Sequence, residues 1–144
     1  MKFEIGNPEH GWVNIKLSHN ETEIEFDASD VPNNPISELI LAIESALSGI
    51  DSLVWWNLEP AGYYFKFTIS GSELELEVLY SINSIESQAQ SILVVSGSCH
   101  ELLVVFWRAL RKLETFNHKE PNWPVVEFKN LGSIELSLKN LKAG

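Results

Sequence analysis

Alternating apolar and polar residues near the N-terminus predict an antiparallel β-hairpin. The two classes alternate over residues 12–17 and again over 23–28. A period of two is typical of strands with one buried face. A tight turn at 19–20 then sets Ile15 opposite Ile24, which puts the apolar residues of both strands on one side.

A helix is predicted after this hairpin. Asn34 followed by Pro35 is a typical helix start, and Gly49 stands where a helix commonly ends. Between them, apolar residues recur every three or four positions from Ile36 to Leu47. One face of this helix is therefore expected to be buried.

Three further strands are predicted in the middle of the chain, with tight turns at 60–61 and 71–72. Counting outward from these turns sets Trp56, Phe65 and Val78 in one apolar row. Both turns give the same apolar face, which indicates an antiparallel meander.

The last third of the chain predicts a strand, a helix and one ambiguous segment. The apolar run 92–95 indicates a short buried strand. Ser98 and Glu101 have the spacing of a capping box, and an apolar stripe follows over 102–113. In the tail, the apolar residues of 134–141 fit either a strand or a helix.

Together these elements predict one α+β domain over residues 1–144. The expected architecture has two layers: an antiparallel sheet of five to six strands, with two amphipathic helices packed on one face. A chain of 144 residues, 44% of them hydrophobic, is long enough for one core. The sequence has no apolar run of membrane-spanning length, and its first residues do not resemble a signal peptide. Its single cysteine excludes an internal disulfide, so we expect a cytoplasmic protein without membrane contact.

Charge is unevenly distributed along the chain. The net charge is −10, and residues 1–104 carry sixteen acids and three bases, whereas 105–144 carry four acids and seven bases. An acidic body repels phosphate backbones, so we expect no nucleic-acid partner. It attracts basic proteins, which makes a basic protein partner the leading expectation. The alternative is that the acidity only keeps the protein soluble.

The sequence predicts no catalytic residue, cofactor or metal site. Residues 98–101 (Ser-Cys-His-Glu) offer a nucleophile near a helix start, but adjacent helical side chains point in different directions. His100 is therefore badly placed to act as a base for Cys99. Four histidines lack the spacing of a zinc site: His10, His19, His100 and His118. Phosphate-binding loops and nucleophile elbows are also missing.

Two acidic ladders and three aromatic residues form the candidate binding surface. They lie on strand positions of opposite parity to the predicted core, where Trp and Tyr often anchor protein interfaces. The candidate residues are Trp12, Trp55, Tyr64, Glu23, Glu25, Asp27, Glu73, Glu75 and Glu77. Two alternatives stay open: the ladders are simply a solvated face, or the tail 123–141 covers the aromatic residues.

Two stretches of sequence resemble a family of small bacterial proteins of unknown function. They are residues 26–32 (Phe-Asp-Ala-Ser-Asp-Val-Pro) with the helix that follows, and residues 56–62 (Trp-Asn-Leu-Glu-Pro-Ala-Gly). The resemblance covers about half of the chain and implies no activity. In its general acidic character the chain is also similar to bacterial immunity proteins, which neutralise toxins.

The leading functional hypothesis is a non-enzymatic, immunity-like protein that binds a basic partner through the aromatic and acidic sheet face. A second hypothesis is a small enzyme or ligand-binding protein with a pocket between sheet and helices. A third is a structural subunit that forms homo-oligomers through the same face.

Overall fold

The computed structural model describes residues 1–116 and 122–143, which form an α+β fold with two antiparallel sheets. The strands are β1 (Lys2–Ile5), β2 (Trp12–His19), β3 (Thr22–Ser29), β4 (Ser52–Asn57), β5 (Gly62–Ser70), β6 (Glu73–Ser81) and β7 (Gln90–Ser98). The helices are α1 (Pro35–Leu47), α2 (Cys99–Glu114) and α3 (Leu131–Ala143), and a short 3-10 turn (Glu86–Gln88) precedes β7. One sheet has the order β1-β2-β3, and the other has the order β4-β5-β6-β7.

The prediction of a single sheet with five to six strands and two helices is wrong in detail. The chain divides its strands between the two sheets at α1, and β3 and β4 are not paired. The outer edge of β4 is bonded to side chains instead. The Trp55 N–H donates to the Glu38 carboxylate at 3.2 Å, and the Asn33 amide donates to the Trp55 carbonyl at 3.0 Å. These bonds occupy groups that a neighbouring strand would need.

The inner faces of both sheets share one core. Phe3 and Phe26 of the three-stranded sheet pack against Trp56 and Phe65 of the four-stranded sheet, with ring centroids 6.0–6.4 Å apart. Phe106 of α2 completes the cluster, with its ring centroid 4.7 Å from that of Phe3. Large buried rings contribute the greatest apolar area per residue, so this cluster fixes which face of each strand points inward.

The first hairpin has the predicted faces but a different register. Ile15 lies opposite Phe26 instead of Ile24, because the turn falls at 20–21. Asn20 adopts φ +54 there, a left-handed conformation that Asn tolerates better than most residues. A register shift of two residues preserves the parity, so the same apolar side chains stay inside.

The meander shows the same kind of difference at its first turn. Trp56 lies opposite Tyr63 instead of Phe65, because the β4–β5 loop spans residues 58–61. The β5–β6 register is as predicted, with Phe65 opposite Val78. Gly71 has φ +61 at the first central position of that turn, as a type II′ hairpin requires.

The strand β7 differs from the prediction in length and burial. The sequence predicts a short buried strand over 92–95, but β7 is longer and lies at the edge of its sheet. Ile92 is 42% exposed and Val94 is 49% exposed, whereas Val95 is buried. A run of apolar residues cannot by itself distinguish a strand covered on both faces from an edge strand.

The first two helices, α1 and α2, begin where the sequence predicts. Asn34 Oδ1 accepts hydrogen bonds from the N–H groups of Ile36 and Ser37, and Ser98 Oγ accepts from Glu101 N–H at 3.1 Å. The ambiguous tail is the helix α3, which packs mainly on α2. None of the helices in the described ranges is both long and apolar enough to cross a membrane.

We expect Asn34→Ala to destabilise the protein by about 2 to 4 kcal/mol. Asn34 Oδ1 caps α1 and also accepts the indole N–H of buried Trp123 at 3.2 Å, so the change removes two functions. Urea unfolding measures the effect. Asn34→Asp keeps the acceptor and should stay within about 1 kcal/mol of wild type. Equal stability of Asn34→Ala and wild type would contradict the role of this cap.

Candidate functional site

The first acidic ladder lies on the outer face of the three-stranded sheet, where it has partners. Glu23, Glu25 and Asp27 project from β3. Lys16 Nζ lies 3.5 Å from Glu23 Oε1. The Asn14 amide donates to Glu25 Oε2 at 3.2 Å and to Asp27 Oδ1 at 3.0 Å. These contacts offset part of the repulsion within this ladder.

The second ladder lies on the outer face of the four-stranded sheet. Glu73, Glu75 and Glu77 occupy alternate positions of β6, and Lys66 of β5 lies opposite Glu77. No ion pair to these three carboxylates is found within residues 1–116 and 122–143. Three carboxylates against one ammonium leave a negative potential over this face.

Trp55 and Tyr64 lie on the same face as the second ladder. Their ring centroids are 4.5 Å apart. Tyr64 is only 9% exposed, because the β6–β7 loop covers it and its O–H donates to the Ser84 carbonyl at 3.0 Å. Burial, followed by the negative charge of Glu86, raises the pKa of Tyr64. Trp55 is half-buried, so it is the aromatic residue of this pair whose side chain is still accessible to a partner.

The nine candidate residues therefore do not share one surface. One face of the four-stranded sheet carries Trp55, Tyr64, Glu73, Glu75 and Glu77, with the aromatic pair toward the Leu79 end of β6. The three-stranded sheet carries Trp12, Glu23, Glu25 and Asp27. Trp12 is exposed, and within the described part of the chain its ring pairs with neither Trp55 nor Tyr64. The sequence pattern assigned parity within each strand, but it did not show that two sheets were present.

This face also carries two exposed apolar residues, Leu53 and Val94, that the sequence pattern did not identify as part of it. Cross-strand pairing sets Leu53, Lys66, Glu77 and Val94 in one row. Leu53 is 37% exposed, and Val94 is exposed on the far side of the ladder. Leu53 has the same parity as Trp55, and this was the signal that could have revealed it.

The tail 123–141 does not cover the aromatic residues of this face, which is the alternative that the sequence left open. Trp123 is buried, and its indole donates to Asn34 at the start of α1. Leu131, Ile134 and Leu138 of α3 are buried in the core cluster. The covering element is instead the β6–β7 loop, where the Ser84 hydroxyl also donates to the Pro60 carbonyl.

Trp55 rests on a glycine of the next strand. A Cβ at Gly62 would lie 2.7 Å from Trp55 Cζ2 and would also collide with the Trp56 carbonyl oxygen. The absence of a side chain at Gly62 thus leaves the space that the Trp55 indole occupies. Gly62 is therefore a structural requirement of the aromatic part of this face.

The stretch 98–101 lines a surface groove of about 530 Å³ between the start of α2 and the end of α3. The Cys99 thiol is buried. Burial, and then the negative charge of Glu73, raise its pKa above the ordinary value of 9.0. The thiol is thus held in its neutral form at neutral pH, whereas the thiolate is the nucleophile.

The described residues do not assemble a metal-binding site. Within residues 1–116 and 122–143, no three His, Cys, Asp or Glu side chains form a group that could hold a metal ion. His118 lies outside the described residues. His10 is an exposed neighbour of Glu9, with 3.7 Å between Nε2 and Oε1.

We expect Gly62→Ala to destabilise the protein by about 1 to 3 kcal/mol, because the added methyl group displaces Trp55 and presses on rigid backbone. Gly132→Ala is the matched control. Among the described residues, apart from its chain neighbours and the nearby helix backbone, no atom lies within 4 Å of the place its new methyl group would take. Because Gly132 lies in the first turn of α3, the gain should be up to about 0.5 kcal/mol. Urea unfolding measures both. Opposite signs are expected, and a neutral Gly62→Ala would contradict the packing of Trp55.

We expect the S–H stretching band of Cys99 in Raman spectra to disappear with a midpoint above pH 9.0, because the pKa of the buried thiol is raised. Cys99 is the single cysteine, so the band reports on it alone. Glu73→Gln removes the second cause of the shift and should lower the midpoint. Glu75→Gln, on the same ladder, should leave it unchanged. A midpoint below 9.0 in wild type would reverse this conclusion.

Comparisons of the chain with models of protein families, with curated proteins and with solved structures gave no match. The resemblance carried by 26–32 and 56–62 therefore stays a prediction.

In the structure these two stretches meet: the Ser29 hydroxyl donates to the Glu59 carboxylate at 2.9 Å, and the Asn57 amide donates to the Val31 carbonyl at 2.5 Å. These two hydrogen bonds join the β3–α1 region to the β4–β5 region. Because the comparisons imply no activity, the function has to be argued from the surface itself.

Proposed function

We propose that this protein is a non-enzymatic binding protein that binds a basic protein partner through the outer face of its four-stranded sheet. The observation that carries the proposal is the juxtaposition of unpaired carboxylates and exposed apolar residues on that face. Glu73, Glu75 and Glu77 have no ion-pair partner in the described ranges. The exposed residues Leu53 and Val94 lie in the same cross-strand row as Glu77, with Lys66 between Leu53 and Glu77.

This arrangement suits the known anatomy of protein interfaces. Apolar residues supply contact area that water leaves on binding, and charged residues at the rim set orientation and association rate. Leu53 and half-buried Trp55 provide the apolar part on one side of the ladder, and Val94 provides it on the other. The net charge of −10 attracts a basic protein over longer distances, with a strong dependence on salt.

Neutralisation of a basic toxin is the specific form of this proposal. An acidic surface that covers a basic active-site cleft would block the cleft by charge complementarity and steric exclusion. The support is the similarity in general character to bacterial immunity proteins, together with the acidic ladder of β6, whose carboxylates have no ion pair with residues 1–116 or 122–143. The first acidic ladder contributes less to such a surface, because Lys16 and Asn14 already engage it.

The other two hypotheses have less support. A pocket between sheet and helices would need unfilled space, but Trp56, Phe65 and Phe106 fill the shared core and have no solvent exposure. A homo-oligomer formed through the acidic face would bring two chains of charge −10 together, and like charges at an interface are repulsive.

We expect a pull-down from a lysate of the source organism to recover a basic protein at low salt and to lose it in about 0.5 M NaCl, because screening shortens the range of the attraction. The variant Glu75→Lys/Glu77→Lys should lose this protein, and Trp55→Ala should retain less of it. Quantitative mass spectrometry of the bound fraction measures the differences.

The matched control is Glu23→Lys/Glu25→Lys, which makes the same charge change on the other sheet. It should retain the protein nearly as wild type does. Equal recovery by wild type and by Glu75→Lys/Glu77→Lys would contradict the proposed surface. A partner lost only from the control variant would transfer the function to the three-stranded sheet.

A further inference from the structure

Three of the four sheet edges are protected against pairing with another chain. β1 is only four residues long and carries charged Lys2 and Glu4. β3 bears the first acidic ladder, and β4 has the N–H and C=O of Trp55 bonded to Glu38 and Asn33. Short length, charge and covered backbone groups are the usual devices that keep a sheet edge from adding strands.

The fourth edge, β7, has little of this protection. It is nine residues long, with the sequence QSILVVSGS, and contains no charged residue and no proline. A bulge near Ile92 twists one end, where Val78 pairs with Leu93 but Leu79 pairs with Ser91. The regular part, residues 93–98, stays a free edge of apolar and small residues.

The direction of the free backbone groups follows from the ladder. The Cys99 N–H donates to the Ser72 carbonyl at 2.8 Å, which makes this a hydrogen-bonded pair. Such pairs alternate along an antiparallel ladder, so the N–H and C=O groups of Val94 and Ser96 point away from β6. Among the described residues, none outside the sheet bonds to these groups. They are available to a further strand.

We infer that the free edge of β7 binds an extended basic segment of the partner, which adds a fifth strand to the sheet. The inference rests on the proposed function and deepens it, because it states how the partner is recognised. Backbone hydrogen bonds to Val94 and Ser96 would supply affinity, and side chains would supply specificity.

Charge complementarity identifies the occupant as basic. Cross-strand pairing sets Ser96 beside Glu75 and Ser98 beside Glu73. An added strand would lie about 10 Å from the carboxylates of β6, two strand spacings away. Because the intervening serines are small, a long Lys or Arg side chain can cross them to reach the ladder. Alternation of basic and apolar residues in the partner segment would put the basic ones on this face.

A second copy of the chain fits this edge poorly. Pairing of β7 with its symmetry mate would put the two unpaired acidic ladders about 15 Å apart, three strand spacings, within one continuous sheet. It would also join two chains of net charge −10. The edge is uncharged, but its surroundings repel an identical partner and attract a basic one.

The test uses the full chain and the synthetic heptapeptide Lys-Val-Lys-Val-Lys-Val-Lys, with binding measured by calorimetry. Ser96→Pro removes an N–H that points away from β6, and edge strands tolerate proline at such positions. We expect it to weaken binding by about tenfold, because at least one intermolecular hydrogen bond is lost. Ser96→Ala keeps the N–H and should bind as wild type does.

A peptide with N-methylated lysines tests the same bonds without changing the protein, so the test holds even if Ser96→Pro fails to fold. In antiparallel addition, the residues opposite Val94 and Ser96 are the lysines, whose N–H groups point at β7. The N-methylated peptide should bind at least about tenfold more weakly than the parent peptide. A peptide with Glu in place of Lys should not bind. In NMR spectra, the amide signals of Val94 and Ser96 should shift and gain protection on binding of the parent peptide.

The outcomes separate this inference from the proposed function. If Glu75→Gln/Glu77→Gln weakens peptide binding but Ser96→Pro and N-methylation do not, strand addition is overturned while the acidic face stands. If none of these changes weakens binding, both are overturned. A wild-type chain that sediments as a dimer, and that Ser96→Pro makes monomeric, would assign the edge to a second copy and overturn the inference.

Discussion

The shared aromatic core is the constraint on which the rest of the structure depends. Phe3 and Phe26 of one sheet meet Trp56 and Phe65 of the other, and this contact decides which face of every strand is buried. Successive strand residues point to opposite sides, so a fixed inner face also fixes the outer one. The acidic ladder of β6 and its apolar neighbours are exposed together because of the packing beneath them. The candidate binding surface is thus a consequence of the core and needs no separate folding element.

Polar contacts between the β3–α1 region and β4 separate the two sheets. The Trp55 N–H donates to Glu38, and the Asn33 amide donates to the Trp55 carbonyl. The Asn57 amide donates to the Val31 carbonyl. These bonds close the β4 edge and keep β3 and β4 from pairing, so the strands form two sheets. With β4 closed, the four-stranded sheet has its free edge at β7, beside the acidic ladder of β6.

The sequence predicted features that depend on local periodicity, and it failed where distant segments compete. Strand parity, both helix starts and the Gly71 turn depend on residues close in sequence. The two register errors were each of two residues, because parity is insensitive to a shift of that size. The burial of Tyr64 could not be predicted, since the loop that covers it has no periodic pattern. The exposure of Val94 was missed for a related reason: four consecutive apolar residues do not reveal which strands lie beside them.

Amide hydrogen exchange of the free protein tests the central claim most directly, because it reports whether the β7 edge is open beside the acidic ladder. We expect fast exchange at Val94 and Ser96, whose N–H groups point away from β6, and slow exchange at Val95, which the ladder bonds to Leu76. Trp55 at the opposite edge should also exchange slowly, because Glu38 accepts its N–H. Equally slow exchange at Val94, Val95 and Ser96 would mean that this edge is already covered, and it would contradict an open β7 edge.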